Sequence, residues 1–222
     1  MTTSHDTRTD FDTSRRAITV LLWALLALIP ALTLGPAVGR YGPVTDDWSH
    51  LRLVIDGAFV NVDLTRPLHH VTTAAAYALS GGSITAMTAL LVVLQAVEAI
   101  LCFEVLRRML TSPAARLPGR LAAFAAFSGA AVFALYPADV SRLTLMMTHG
   151  RVMLIATLAL ALVWLDAART RRSWPLLPAA LIAGTVLLIK ESPFFVLALM
   201  PGLVLLWPDA LRLLRRGRWI TA

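Results

Sequence analysis

Two adjacent acids, Asp46 and Asp47, follow the first long apolar run of the sequence. A carboxylate in such a pair is suited to take the proton from an attacking hydroxyl. The pair is equally suited to bind a divalent cation through its oxygen atoms. The opposing interpretation is a solvated acidic turn near Pro43, where short polar side chains are common. The residues alone leave these interpretations open.

Three cationic side chains, Arg66, Arg151 and Lys190, are candidates for binding a phosphate group. A guanidinium such as that of Arg66 offers a fixed fork of donors that stays charged. His149 and Arg151 flank a glycine where an apolar run begins, and they are candidates for a second phosphate contact, with His149 the secondary one. Lys190 is the only lysine in the chain. Arg66 and Lys190 could instead be anchors at a membrane interface, with their charges reaching toward water.

Other acidic residues have simpler interpretations. Asp139 precedes Arg142 by three residues, so the two are expected to pair on one helical face. Asp139 is for this reason only a secondary candidate for an acid in the site. Glu191, which follows Lys190, is another secondary candidate. Glu98 lies inside an apolar run, where we expect it to form a hydrogen bond between helices.

The histidines and the cysteine do not predict a metal centre. His69 and His70 are adjacent, so on a helix they point about 100° apart, and no third ligand lies at helical spacing. Cys102 is the only cysteine, which excludes an intramolecular disulfide. No zinc site is predicted, and a divalent cation at Asp46 and Asp47 stays an open alternative.

Composition predicts a chain that is surrounded by lipid. Hydrophobic residues make up 58% of the sequence and charged residues 15%, and the mean hydropathy is +0.72. That leaves too little polar surface to coat a water-soluble body of this length. The net charge of +7 comes from short basic clusters between apolar runs, which favours an anionic membrane surface over nucleic acid as the partner.

The apolar runs predict an all-α polytopic membrane protein with about six membrane-spanning helices. A transmembrane domain is expected over 17–211, between a disordered tail at 1–16 and a basic tail at 212–222. The predicted spans are 17–38, 84–106, 121–136, 152–165, 176–189 and 193–211.

Basic residues gather in alternate loops between the predicted spans. The positive-inside rule places these loops, and with them both termini, in the cytoplasm. The expected location is therefore the plasma membrane, and we expect that of a bacterium.

The first outer loop, at 39–83, is far longer than the roughly 2–8 residues that suffice to join neighbouring helices. Its segment 67–80 has a helical pattern but is too short to cross a membrane. We expect a helix there that lies at the outer interface and begins with Pro67 in its first turn.

Four short elements resemble a known family. They are Asp46-Asp47-Trp48; Arg66-Pro67-Leu68 with the small-residue helix that ends at Gly81-Gly82; Tyr136-Pro137-Ala138-Asp139 followed by His149-Gly150-Arg151; and Lys190-Glu191-Ser192-Pro193. In their order and common predicted side they resemble the polytopic glycosyltransferases of the GT-C fold, most closely the protein O-mannosyltransferase-like branch. Enzymes of this family take sugars from polyprenyl-phosphate carriers on the outer or lumenal face.

The resemblance implies a GT-C-like membrane glycosyltransferase that passes a sugar from a polyprenyl-phosphate carrier to an acceptor hydroxyl. Asp46 or Asp47 would be the base, and Arg66, Arg151 and Lys190 would contact the carrier phosphate. The family pair is often Asp-Glu, whereas this pair is Asp-Asp, so which residue acts stays open.

Members of that family usually have more spans, and the chain resembles their front part. We therefore expect a truncated product, an enzyme completed by a second chain, or a shortened relative that binds without catalysing. A non-catalytic membrane subunit and a small transporter are the alternatives from other classes.

Overall fold

The computed structural model describes residues 6–40, 42–43, 45–57, 68, 70–136, 143–170, 176–189 and 194–207. All regular structure within these ranges is helical. The α-helices are α1 (Asp6–Leu34), α2 (Thr45–Ile55), α3 (Val71–Leu79), α4 (Ile84–Leu110), α5 (Gly119–Leu135), α6 (Thr148–Thr170), α7 (Leu176–Ile189) and α8 (Phe194–Leu199). Short 3-10 helices cover Gly35–Ala37, Leu145–Met147 and Met200–Leu206.

Among the residues that the structure describes, three helical stretches are long and apolar enough to cross a membrane: Arg16–Ala37, Ile84–Leu110 and Thr148–Thr170. The apolar helices Gly119–Leu135 and Leu177–Ile189 are shorter. The last predicted span begins as α8 and continues as a 3-10 helix to Leu206. The fold is thus all-helical in its described part and compatible with an integral membrane protein, while the number of crossings stays a prediction.

The first helix starts earlier than expected. α1 begins at Asp6, inside the segment that was predicted to be a disordered tail. A helix nucleated in the apolar run extends backward at little cost, because each added residue contributes a further backbone hydrogen bond.

α4 is the central helix of the bundle and packs against α1, α5 and α6. At its start the Ser83 Oγ accepts a hydrogen bond from the backbone N–H of Ala86 at 3.3 Å. At its end Arg107 and Arg108 lie in the last turn, where cations complement the helix dipole. Both ends of α4 are therefore determined by local sequence.

Small residues allow α5 to approach its neighbours closely. One alanine in every turn of α5 is fully buried. Ala126, Ala130 and Ala134 share a core with Leu26 of α1 and Phe103 of α4. Such stripes let helix backbones pack tightly in membranes. The buried stripe consists of Ala122, Ala126, Ala130 and Ala134.

Two short helices cover the Ile84 end of the bundle. α2 packs on α3 and on the 3-10 turn Leu145–Met147, and α3 packs on α4 and α6. The helix expected over 67–80 is present as α3 from Val71 to Leu79, while Pro67 lies outside the described residues. α2 was not predicted as a helix.

The chain reverses direction between α3 and α4 through Gly81 and Gly82, whose φ angles are +59° and +79°. A side chain at Gly82 would meet Tyr77 Oη at 3.1 Å from its Cβ. Glycine is thus required here both by backbone conformation and by the close approach of the tyrosine.

Candidate functional site

Asp46 and Asp47 lie in the first turn of α2. Asp47 is fully buried, so it does not belong to a solvated acidic turn. The side chain of Asp46 is outside the described part of the structure. Residues in the first turn of a helix face its positive dipole end, which favours a carboxylate there.

Four of the predicted site residues lie outside the described ranges, and their roles stay predictions. These residues are Arg66, Asp139, Lys190 and Glu191.

One helical turn beyond Asp47, His50 contacts His70 at the start of α3. Their Nδ1 atoms are 3.1 Å apart, and the ring centroids are 4.8 Å apart with the rings tilted by 50°. His70 is buried and His50 half-buried. In an N–H···N hydrogen bond one ring donates while the other accepts, so the contact requires that at least one of the two Nδ1 atoms carries no proton.

The His50–His70 contact does not make a metal centre by itself. Within the described ranges there is no group of three or more His, Cys, Asp or Glu side chains placed to hold a metal ion. The expected absence of zinc ligation at His69 and His70 is not tested, because His69 lies outside those ranges.

His149 and Arg151 are both buried in the first turn of α6. Arg151 Nη1 donates to Glu98 Oε2 of α4 at 2.7 Å, and the Glu98 side chain is fully buried. The bond between helices that was expected of Glu98 is therefore present, and its partner is a charged group. The structure places Arg151, a predicted phosphate contact, in this ion pair.

The Glu98–Arg151 ion pair lies deep in the bundle. Glu98 precedes Arg108 by ten residues, which is about 15 Å along a helix. Arg108 in turn approaches Asp166 of α6, with 3.8 Å between Nη1 and Oδ1. Both ion pairs join α4 to α6, and these two helices run in the same direction.

Gln95 lies one turn from Glu98 on α4 and is also buried. Its Nε2 donates to the carbonyl oxygen of Ala134 at 3.2 Å. Its Oε1 has no hydrogen-bond partner among the described residues. Because a carbonyl oxygen only accepts, the amide nitrogen must face Ala134, and Oε1 is left without a donor.

A cavity of about 340 Å³ opens beside Gln95 and Arg151. Its remaining walls are mostly apolar and include Val132, Phe133 and Tyr136 of α5 and Leu154 of α6. Pockets that bind small ligands begin near this size and share the pattern of apolar walls with few polar groups. Sequence reasoning missed this cavity, because Gln95 and Arg151 meet only through helix packing.

The Leu110 end of the bundle carries a separate polar cluster around Glu104. Trp23 Nε1 donates to Glu104 Oε1 at 3.0 Å, and Arg107 Nη2 donates to Glu104 Oε2 at 2.6 Å. These bonds tie α1 to the last turns of α4. A charged and indole-bearing cluster of this kind is typical of the boundary between hydrocarbon and water.

Comparisons of the chain with protein-family models, with curated proteins and with solved structures find no match in any of the three. Over its described ranges the chain is all-helical, and three helices there are long and apolar enough to span a membrane.

Proposed function

We propose that this protein is a membrane glycosyltransferase, or the N-terminal part of one, that transfers a sugar from a polyprenyl-phosphate carrier to an acceptor hydroxyl. The observation that carries the proposal is the complete burial of Asp47 in the helical layer over the Ile84 end of the bundle. A carboxylate screened from bulk water is suited to act as a base, since nearby dipoles act more strongly there.

The packing of the short helices supports the same site. α2 carries Asp47 and rests on the 3-10 turn that leads into α6, and α3 rests on α6 itself. Two of the four elements of the family resemblance, around Asp47 and around His149, therefore lie on neighbouring segments. The proposal includes a six-span, GT-C-like arrangement in which this end is extracytoplasmic and both termini are cytoplasmic.

In the proposed reaction Asp47 or Asp46 accepts the proton of the acceptor hydroxyl as its oxygen attacks the anomeric carbon. The bond between that carbon and the phosphate oxygen breaks, and the polyprenyl phosphate leaves with the electron pair. Arg66 and Lys190 stabilise the negative charge on the departing phosphate.

We do not assign the phosphate to Arg151, because Glu98 already balances its charge at 2.7 Å. A divalent cation at Asp46 and Asp47 stays an open part of the proposal.

The experiment is a transfer assay in proteoliposomes that contain the purified chain. Polyprenyl phosphates with different radiolabelled sugars are supplied with a panel of peptide, glycan and lipid hydroxyl acceptors. We expect a labelled product from one carrier and its loss in Asp47→Asn, while Asp56→Asn, at an exposed position of the same loop, remains active. Absence of transfer, also after co-expression with candidate partner chains, would contradict the proposal.

The Glu98–Arg151 pair favours transport as the second candidate function. Buried ionisable residues within membrane helices often mark solute or proton pathways. Solute flux across liposomes that depends on both residues, without sugar transfer, would favour the transporter. Co-purification with a transferase in the absence of either activity would indicate a non-catalytic subunit.

A further inference from the structure

The contact between His50 and His70 joins the two short helices at one end of the bundle. Their Nδ1 atoms are 3.1 Å apart, with His50 on α2 and His70 at the start of α3. α2 packs mainly on α3 and on the 3-10 turn Leu145–Met147. Its buried apolar side chains are Leu51 and Val54, each 3% exposed. The histidine contact therefore adds a polar bond to a small apolar interface.

This contact accommodates one added proton but not two. With two neutral rings, or with one neutral ring and one imidazolium, a single Nδ1–H donates to the bare Nδ1 of the other ring. With two imidazoliums both Nδ1 atoms carry a proton, so the bond is lost and two positive charges face each other. His70 is only 6% exposed, so water screens this repulsion poorly. Double protonation therefore opposes the packed position of α2.

The described charges on α2 do not balance a doubly protonated pair. Asp47 lies one helical turn before His50 and is fully buried, and among the described side chains of α2 it is the one buried carboxylate. Arg52 and Asp56 are exposed and pair with each other at 3.5 Å. The side chain of Asp46 lies outside the described part. One carboxylate can balance one positive charge, and the second stays unbalanced.

The elements packed against the two short helices add no free negative charge in their described parts. α3 carries Tyr77, a phenol that is neutral near pH 7, and neither α3 nor the 3-10 turn contains an acidic or basic side chain. α6 begins with His149 and Arg151, and Arg151 is paired with Glu98 of α4 at 2.7 Å. A proton on His149 would add further positive charge. Acid thus brings positive charge to this end of the bundle without adding an acceptor for Nδ1.

From this geometry we propose that the histidine pair, His50 and His70, is a pH-sensitive switch for α2. At neutral pH the pair holds α2 against α3, and Asp47 stays covered. Below the ordinary titration range of histidine both rings become protonated, so α2 separates from α3 and exposes Asp47 to water. The contribution of the pair to stability is present above that range and is lost as the pH falls. The switch is a property of the fold and does not depend on sugar transfer.

The size of the effect follows from proton counting. In the separated state each ring takes up a proton as in water, whereas the packed pair holds at most one added proton. With an ordinary histidine pKa of about 6.5, the separated fraction rises roughly sixfold between about pH 7.5 and about pH 5.5, and roughly 15-fold down to about pH 5.0. Exposed carboxylates stay ionised over most of this range, so the window is specific to histidine.

The test is amide hydrogen exchange of the full chain in phosphatidylcholine nanodiscs, followed by mass spectrometry. Exposure times are scaled for the intrinsic pH dependence of amide exchange, and the buffers contain a chelator so that no metal ion competes with protons for the rings. We expect the protection of α2 to fall roughly sixfold between about pH 7.5 and about pH 5.5. The protection of α4, the central helix, should stay unchanged as the internal reference.

Two variants and a control assign the response to the histidines. His70→Asn keeps a side-chain amide that can donate to or accept from His50 at any pH, so α2 should stay protected at both pH values. His50→Asn tests the same point at the half-buried position, which tolerates substitution more easily. Arg52→Gln breaks the exposed pair with Asp56 and should keep the full acid response.

Unchanged protection of wild-type α2 at about pH 5.5 would overturn the proposal. An acid response that persists in His50→Asn and His70→Asn would overturn it too, as would its loss in Arg52→Gln. The pH course of the wild type decides the question even if both histidine variants fail to hold α2 at neutral pH. Protection that begins to fall near about pH 6.5 supports the switch, whereas a fall that begins only below about pH 5 would indicate carboxylates and contradict it.

Discussion

Breaking the ion pair between Glu98 and Arg151 should strongly destabilise the bundle. Their side chains are 0% and 8% exposed, and the bonded atoms are 2.7 Å apart. Removing one partner of a buried pair leaves an uncompensated charge and typically costs about 3–5 kcal/mol. At about 2–4 °C per kcal/mol for a chain of this length, Glu98→Leu or Arg151→Met should lower Tm by roughly 6–20 °C.

The double variant Glu98→Leu/Arg151→Met removes both charges of this pair. Replacing a whole buried pair by apolar side chains is often neutral or stabilising, so the double variant should melt close to the wild type and well above either single variant. Thermal unfolding in detergent micelles, followed by circular dichroism, measures all four proteins.

The matched control is the exposed pair Arg52–Asp56, whose side chains are 83% and 59% exposed with 3.5 Å between the bonded atoms. Its removal should cost less than about 1 kcal/mol. If a Glu98 or Arg151 variant melts no lower than this control, or if the double variant shows the sum of both losses, the buried ion pair is not as described.

Three further predictions concern orientation, carrier binding and packing. In a cysteine-free background, the variant Asp56→Cys should react with an impermeant thiol reagent on intact cells, and Arg171→Cys should not. The reverse pattern would invert the predicted orientation, in which both termini are cytoplasmic. Arg66→Ala should weaken binding of the polyprenyl-phosphate carrier, measured by native mass spectrometry. Arg66→Lys should restore this binding only in part, because a point charge replaces a fork of donors. Unchanged binding by Arg66→Ala would remove Arg66 from the site. Ala130→Leu, at a fully buried position, should destabilise the bundle by about 1–3 kcal/mol in thermal melts. Phe124→Leu, at an exposed position, should destabilise it by much less. Equal effects of the two variants would contradict the close packing of α5.

Local sequence patterns predicted the long helices well. A membrane crossing needs about 20 consecutive apolar residues, and this signal lies within a single stretch of chain. α3 was also predicted, because its small and apolar residues are contiguous. α2 was missed because polar residues interrupt it, although the spacing of its buried Leu51 and Val54, both 3% exposed, matches one helical face.

The contacts of the candidate site could not be predicted in the same way. Glu98 and Arg151 are separated by 53 residues, and His50 and His70 by 20. Which turn of α4 faces which turn of α6 depends on packing across the whole interface, and no local pattern reports it. The sequence therefore indicated Glu98 as a bonding group within the bundle, but not its partner.

The proposed catalytic role of Asp47 is tested most directly by separating turnover from binding. In a preparation with demonstrated transfer, Asp47→Asn should lower kcat by about 10²-fold or more with little change in carrier affinity, because a base acts in the transition state. Asp46→Asn is measured in parallel to identify which residue of the pair acts, and Asp56→Asn should behave as the wild type. Full activity of both Asp46→Asn and Asp47→Asn would contradict the account and would leave Asp139 and Glu191 as the next acids to test.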